Sequence, residues 1–267
     1  MRLADHFHPT LPALCLGIAI VAASPAAAAP LMPDFSAGFG AWVTDRYEPA
    51  SFSNIGPFAG RDNVLGIGIN STTSTPNRPS GLQGGFYNTQ GRQVAVTGGA
   101  GSVVSADLYV PQSWSDHSLG SRRTDAWGIL ATGAPPPNAL QYPILGFTNF
   151  GGAPRFRAWD GDIGWVDLAN AIVFDNWNTL SMEFTGSSIE FSINGVLAYT
   201  DSTFIAPTGF NGIIMQAFNF GDPAISGTVV NDYVAAWANT TETPEPASLA
   251  LLGVGLAGLA LRRRRAG

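Results

Sequence analysis

Two glutamates, Glu183 and Glu190, flank a tight turn in the stretch LSMEFTGSSIEFSI. A two-residue turn at Gly186-Ser187 would place them opposite each other on paired strands, with Cβ atoms about 5 Å apart. Carboxyl groups about 5–5.5 Å apart act as nucleophile and acid/base in retaining glycosidases. Such a pair can also hold a cation or accept hydrogen bonds from sugar hydroxyls. The ordinary alternative is two exposed side chains that splay into water.

The stretch PRFRAWDGDIGWVDL indicates a second kind of chemistry. Its Asp160-Gly161 pair predicts a type I′ hairpin turn, and strand alternation then places Arg155, Arg157 and Trp159 on one outward face. An aromatic ring beside guanidinium donors suits sugar stacking and hydrogen bonding. If this strand and the glutamate pair share a sheet, one glycan can contact both sets. The alternative is that the tryptophan only covers the sheet.

Asp160 and Asp162 in the same turn carry oxygen ligands of the kind that Ca²⁺ prefers. No D-x-D-x-D-G loop follows them, so the sequence gives only a weak indication of a calcium site at these two residues. No other metal or cofactor is predicted.

Other catalytic arrangements are missing from the sequence. His117 is the only histidine after the first ten residues, and the chain contains neither a G-x-S-x-G nor an H-E-x-x-H motif. We therefore expect no enzyme activity, and three functions stay open. The first is noncatalytic binding of extracellular polysaccharide. The second is an inert structural role in a matrix, and the third is a hydrolase that uses Glu183 and Glu190.

Short runs rich in Val, Ile, Phe, Trp and Thr, separated by Gly, Pro, Asn and Ser clusters, predict strands throughout the middle of the chain. The predicted strands are 39–47, 63–69, 92–97, 102–110, 124–131, 143–149, 154–159, 163–168, 177–185, 188–193, 196–200, 212–220 and 228–237. Many short strands without a fixed repeat favour an all-β fold, a two-sheet antiparallel jelly-roll sandwich. Within it, turns at Gly186-Ser187 and Asn194-Gly195 predict a three-stranded meander with Phe184 opposite Ile189.

This meander resembles part of the concanavalin A-like, laminin-G-like sandwiches. The resemblance rests on the pattern W-x-x-L followed by I-x-F-x-I-N-G, formed here by Trp177, Leu180, Ile189, Phe191, Ile193, Asn194 and Gly195. It implies consecutive strands of one sheet and says nothing about function. Glycosidases of this fold carry an E-x-D-x-x-E strand that the sequence lacks, which disfavours hydrolysis.

The middle of the chain is acidic and has no cysteine. Without Arg2, Arg262–Arg265, Asp5 and Glu245, the chain keeps 8 arginines and 17 acidic residues, a net charge of −9, and it has no lysine. This charge argues against nucleic acid as a partner. Because the only cysteine, Cys15, lies near the start, the domain must be stabilised by its core and not by disulfides.

Both ends of the chain indicate export. Residues 1–29 read as a secretory signal peptide, with the apolar stretch LPALCLGIAIVAA and a run of small residues that signal peptidase cleaves. At the other end, residues 247–261 form an apolar run whose helix would rise about 22 Å, which is short for a permanent membrane span. We expect 34–237 to be the β-sandwich domain and 238–243 to be a linker.

The last residues, 244–267, resemble the PEP-CTERM sorting signal of Gram-negative bacteria. The resemblance rests on a triplet, an apolar transmembrane helix and a basic cluster in that order, formed by Pro244, Glu245, Pro246, the run 247–261, Arg262, Arg263, Arg264 and Arg265. It implies that an exosortase processes the chain after transient anchoring in the inner membrane. The expected destination is the cell surface or extracellular matrix, which links the protein to exopolysaccharide and biofilm.

Overall fold

Antiparallel strands account for most of the structure, a computed structural model that describes residues 30–132, 140–203, 207–226 and 232–241. The strands are β1 (Val43–Arg46), β2 (Ser51–Asn54), β3 (Leu65–Ile69), β4 (Thr89–Gly98), β5 (Ser102–Val110), β6 (Arg123–Thr132), β7 (Leu140–Gln141), β8 (Ile144–Thr148), β9 (Arg155–Asp160), β10 (Gly164–Asp167), β11 (Asn176–Phe184), β12 (Ile189–Ile193), β13 (Val196–Asp201), β14 (Pro207–Phe218) and β15 (Tyr233–Ala238). The connections include short 3-10 turns and the four-residue helix α1 (Pro223–Ser226).

The strands form two sheets. Sheet A has the order β1-β4-β14-β6-β8-β9-β10, with β7 added beside β6, and sheet B has the order β13-β12-β11-β5-β15-β3-β2. Every strand pair within the described residues is antiparallel. The predicted fold class, an all-β sandwich of two antiparallel sheets, is confirmed.

The core lies between the two sheets. Phe147 and Phe156 from sheet A meet Phe184, Phe191 and Trp237 from sheet B in one cluster, and all five side chains are fully buried. Burial of each such side chain contributes about 2 kcal/mol to folding. Sheet-to-sheet packing of alternate residues therefore supplies the stability that the domain does not obtain from disulfides.

The predicted meander is confirmed in its register. Phe184 pairs with Ile189, and the pairing continues to Leu180 opposite Ile193. Gly186 at the first turn has a φ of 106°, which a glycine adopts without a steric penalty. Asn194 and Gly195 at the second turn have φ of 51° and 75°, as a type I′ hairpin turn requires.

The turn predicted at Asp160-Gly161 is wrong in its length. Three residues, 161–163, separate β9 from β10, and Gly164 pairs opposite Asp160 with a φ of 88°. The positive φ is therefore supplied by the glycine that opens β10. The outward placement of Arg155, Arg157 and Trp159 survives, because it depends on the alternation of β9 and not on the turn.

The predicted segments at the two ends of the chain lie outside the described residues. They are the signal peptide, 1–29, and the sorting tail with its apolar helix, 247–261. Within the described part of the chain, no helix has both the length and the apolar character needed to cross a membrane.

Candidate functional site

The residues predicted to bind one glycan lie on two different sheets. Glu183 and Glu190 pair directly, as predicted, but in sheet B. Arg155, Arg157 and Trp159 lie on β9 in sheet A. In both strands the alternate residues point into the core between the sheets, so the two sets face away from each other. The idea of one combined glycan site is therefore wrong.

Asp160, proposed above as a calcium ligand, points inward and is engaged by the protein. Its Oδ1 accepts hydrogen bonds from the N–H groups of Asp162 and Ile163, and its Oδ2 accepts one from the Tyr199 hydroxyl at 2.6 Å. Burial alone would raise the pKa of Asp160, but these hydrogen bonds outweigh it and leave the pKa lowered. Among the described residues, no group of three or more His, Cys, Asp or Glu side chains is arranged to hold a metal. The calcium site stays a prediction.

A line of polar residues crosses the outer face of sheet A, one from each of seven strands. This polar row, read from the strand registers, consists of Asp45, Gly91, Gln216, Asp125, Gly146, Arg157 and Asp167. Gln216 and Asp125 are 0% exposed although they lie on the outside of the sandwich. Such burial on an outer face is unusual, because charged residues are almost never fully buried unless paired.

The two glycines of the polar row make room for these side chains. A Cβ at Gly91 would lie 2.2 Å from the Met215 carbonyl oxygen and 2.7 Å from the Gln216 Cβ. A Cβ at Gly146 would lie 2.2 Å from the Asp125 Oδ1. The side chains of Gln216 and Asp125 therefore lean over their glycine neighbours in the sheet.

The hydrogen bonds of the polar row are incomplete. The Asp125 Oδ2 accepts from the Arg123 Nε at 2.7 Å and from the Gln216 amide. Among the described residues, four buried atoms of the polar row have no hydrogen-bond partner: Asp45 Oδ2, Asp125 Oδ1, Gln216 Oε1 and Arg157 Nε. Buried polar atoms are normally satisfied by protein, water or ligand, so this row offers groups that a ligand or water must satisfy.

An aromatic row runs beside the polar row. It consists of Ile214, Trp127, Ile144, Trp159 and Trp165, each paired with the next across neighbouring strands. Trp127 is 6% exposed, and its Nε1 has no hydrogen-bond partner among the described residues. Because these side chains form a cluster separate from the main core, the aromatic row is an apolar platform on the outer face.

Three arginines lie over this platform. Arg46 Cζ is 4.4 Å from the ring centre of Trp127, and Arg123 Cζ and Arg157 Cζ are 4.9 and 3.6 Å from that of Trp165. Burial lowers the pKa of Arg157 to about 10 and also lowers the pKa of Arg46. With a pKa of about 10, the Arg157 guanidinium remains protonated at neutral pH.

Arg46 reaches this face because its backbone breaks the strand alternation. Asp45 belongs to the outward polar row, so alternation alone would turn Arg46 inward. The φ of Arg46 is 54°, an uncommon value for a residue other than glycine, and the guanidinium lies over Trp127 instead. Strained residues of this kind concentrate at functional sites. Burial raises the pKa of Asp45, and the charge of Arg46 opposes this.

A pocket of about 230 Å³ adjoins the aromatic row at Trp159. Trp159 forms one wall, and the other lining residues are Leu140, Gln141, Tyr142, Pro143, Gly161, Asp162 and Asp201. The Gln141 Oε1 is another buried acceptor without a hydrogen-bond partner in the described ranges. The platform thus continues into a depression with polar groups in its wall.

Part of the outer face of sheet B, by contrast, is covered by the protein's own chain. Asp107 on β5 is 1% exposed, and both of its oxygens have partners, the Thr179 hydroxyl and the Arg61 Nη2, each at 2.7 Å. Trp177 on β11 donates its Nε1–H to the Ala59 carbonyl at 2.9 Å. The chain between β2 and β3 therefore covers this part of sheet B.

Four residues of the site, Arg46, Asp125, Trp127 and Gln216, were not predicted from the sequence. One signal was available, because RTDAW at 123–127 has the same alternation of charged and aromatic residues as RFRAW at 155–159. The structure places the two segments on the same face of sheet A, with β8 between them.

A family model described as "PEP-CTERM protein-sorting motif" matches residues 242–265, so the sorting signal predicted at the C-terminus is confirmed. The motif implies export and sorting by an exosortase to the cell surface or the extracellular space. No curated protein matches the chain.

Solved structures similar to the chain include a β-glucanase from Bacillus licheniformis, with 13% identity over 73% of this chain and 87% of that one, and a TM-score of 0.40. The carbohydrate-binding module CBM66 from Bacillus subtilis has 9% identity over 74% and 92%, with a TM-score of 0.36. A prokaryotic β-1,3-1,4-glucanase derived from a mouse hindgut metagenome has 12% identity over 73% and 88%, with a TM-score of 0.39.

Proposed function

We propose that this exosortase-sorted protein binds polysaccharide on the outer face of sheet A and does not cleave it. The observation that carries the proposal is the aromatic row, with Trp127, Trp159 and Trp165, beside a polar row that contains buried groups without partners. Tryptophan rings supply the apolar area on which sugar rings stack. The unsatisfied groups supply directed donors and acceptors for hydroxyls, which fix the orientation of a bound ligand.

The spacing of the carboxylates favours binding over hydrolysis. Asp45 and Asp125 in the polar row are three strands apart, about 14 Å at the usual strand spacing. Glycosidases need two carboxyl groups about 5–9.5 Å apart. Glu183 and Glu190 are close enough, but their outward neighbours in sheet B are small residues or valine, so no aromatic ring lies beside them to hold a sugar.

The test is binding of the secreted protein to a panel of polysaccharides, with Trp159→Ala as the variant. We expect at least a tenfold loss of affinity, since no polar neighbour replaces the stacking area of the ring. Trp177→Ala is the matched control, because it removes a tryptophan from the outer face of sheet B. Equal losses in the two variants would contradict the assignment to sheet A. Release of reducing ends would contradict noncatalytic binding, and binding to no glycan would favour an inert matrix role.

The export and sorting of the protein form a separate part of the proposal. We infer that signal peptidase removes residues 1–29 and that an exosortase cleaves near Pro244–Pro246 after transient anchoring in the inner membrane. Peptide mapping of the surface form should find neither segment. Recovery of Leu249–Arg265 on the surface product would contradict exosortase processing and would leave the binding proposal untouched.

A further inference from the structure

Arginines are concentrated on the binding face of an otherwise acidic chain. The part of the chain between the two predicted terminal signals has a net charge of −9. The outer face of sheet A nevertheless holds four of its eight arginines, namely Arg46, Arg123, Arg155 and Arg157. The polar row supplies three carboxylates beside these four arginines, and Asp162 and Asp201 line the adjoining pocket. A need for solubility does not explain why arginines are concentrated on one face of an acidic domain.

Arg157 is the cation with the fewest partners. Two carboxylates lie near it, and each is engaged by a different arginine. The Asp125 Oδ2 is 2.7 Å from the Arg123 Nε, and the Asp167 Oδ1 is 2.8 Å from the Arg155 Nε, an ion pair without hydrogen-bond alignment. Arg157 forms no ion pair and no side-chain hydrogen bond within the described residues, and its guanidinium stacks on Trp165.

Arg46 is the second cation with a weak partner. Its Nη1 is 3.7 Å from the Asp45 Oδ2, beyond hydrogen-bond distance, and that oxygen has no hydrogen-bond partner in the described ranges. Trp127, whose ring lies under Arg46, is on β6, and Arg157 is on β9, two strands away. At the usual strand spacing, their backbones are about 10 Å apart. The two guanidinium groups are therefore placed to meet different groups of one extended ligand.

We infer that the polysaccharide bound on this face is acidic, with a sugar carboxylate, as in a uronic acid, bound by Arg157. This inference rests on the proposed function, because it names the chemical class of the ligand at the same site. A carboxylate presents two oxygens in a plane, which is the arrangement that a guanidinium meets with two parallel hydrogen bonds. The sugar ring that carries this carboxylate lies against the aromatic row.

The experiment compares the secreted protein on polygalacturonate and alginate with the same two polymers after chemical reduction of their carboxyl groups. Reduction keeps the glycan chain and removes the charge. We expect about tenfold tighter binding to the acidic forms, in line with hydrogen bonds to charged groups. Arg157→Gln should remove most of this preference, and Arg157→Lys should restore part of it. Arg92→Gln, at an arginine that pairs with Glu48 elsewhere in the domain, should leave the preference unchanged.

Some outcomes test whether the ligand is acidic, and others test whether the protein binds polysaccharide at all. Equal binding of acidic and reduced polymers, or a preference that survives Arg157→Gln, would overturn the inference and leave polysaccharide binding in place. Binding to none of these polymers and to none of the neutral panel would contradict the proposed function itself. Dextran sulfate serves as a further probe, because binding to it as tight as to the uronates would show attraction of any polyanion.

Discussion

Each outer face of the sandwich has a buried aspartate. The two aspartates differ in how many of their oxygens have hydrogen-bond partners, and this difference distinguishes a structural group from a functional one. Asp107 on sheet B has a partner for each oxygen, the Arg61 guanidinium and the Thr179 hydroxyl. Asp125 on sheet A has two donors on one oxygen and, among the described residues, none on the other. A buried carboxylate that the protein satisfies stabilises the fold. One left half-satisfied indicates that water or a ligand completes it.

The tryptophans of the two faces repeat this contrast. Trp177 on sheet B donates its indole N–H to the Ala59 carbonyl and packs edge-on against Phe58 and Tyr109. Trp127 on sheet A is covered by the Arg46 guanidinium, and its indole N–H has no acceptor in the described part of the chain. Around Trp177, sheet B covers its outer face with the chain between β2 and β3. Sheet A covers its aromatic row with long arginine side chains, which a ligand can displace.

The largest effect on stability should come from sheet B. Asp107→Ala leaves the buried Arg61 charge without its carboxylate, and loss of one partner of such a pair is costly. Because the Arg61 side chain keeps 21% of its exposure, we expect the free energy of unfolding to fall by about 2–3 kcal/mol, less than the roughly 3–5 kcal/mol lost when a fully buried pair is broken. Urea denaturation measures this. Asp62→Ala, at an exposed neighbour of Arg61, is the control.

The same variant sharpens the contrast between the faces. Polysaccharide binding by folded Asp107→Ala protein should equal that of the wild type, since the residue lies on the opposite face from the aromatic row. A loss of affinity as large as that in Trp159→Ala would mean that the two faces do not differ in function as proposed.

Two substitutions of Arg46 should differ in stability but should both weaken binding. At a φ of 54°, a glycine is about 1–2 kcal/mol more favourable than a residue with a Cβ. Arg46→Gly should therefore unfold at higher urea than Arg46→Ala by a difference of about 1 kcal/mol, the lower end of that range. Both variants should bind polysaccharide more weakly than the wild type. Equal stability of the two variants would show that the backbone relaxes there, and unchanged binding would remove Arg46 from the site.

Where the two sheets meet beside Trp159, the hydrogen bond from Tyr199 to Asp160 should give a pH-dependent effect. Tyr199→Phe should lower the free energy of unfolding by about 1 kcal/mol near neutral pH. The pKa of Asp160 is lowered from 3.8, so this stabilisation is present above pH 3.8 and is lost as the pH falls through the folded-state pKa. The pKa of Tyr199 is raised from 10.0 to about 12, so the contribution is also lost as the pH rises through that range. A difference between the proteins that stays constant from pH 3 to 11 would rule out this pair as its origin.

Local pattern was sufficient to predict the strands and their faces. The alternation in RFRAW predicted the inward and outward sides of β9, and the two turns predicted the register of β11 with β12. The errors came where local pattern is ambiguous. The stretch SFSN of β2 has only one apolar residue, and the start of β14 contains Pro207, Gly209 and Gly212, which read as breakers. The strand register shifts at this point, between Phe210 and Gly212.

The site itself depends on pairing between distant strands, which periodicity does not encode. Strands of both sheets alternate in the same way, so nothing local assigned Glu183 to sheet B and Arg157 to sheet A. The polar row joins Asp45 to Gln216 across strands that are distant in sequence. Gly91 lies just before the predicted strand 92–97, and Gly146 reads as an ordinary strand glycine. Only their neighbours in the sheet show that each accommodates a side chain from the next strand.

The smallest effect should come from the glutamate pair on sheet B. Glu183→Gln removes the repulsion between Glu183 and Glu190, which lie directly opposite each other. Like charges in this position destabilise a sheet, but both side chains are partly exposed. We expect stability to rise by only a few tenths of a kcal/mol, and the gain should shrink as added salt screens the pair. Polysaccharide binding should not change. A loss of binding in Glu183→Gln, but not in Ser181→Ala on the same face, would return the site to sheet B.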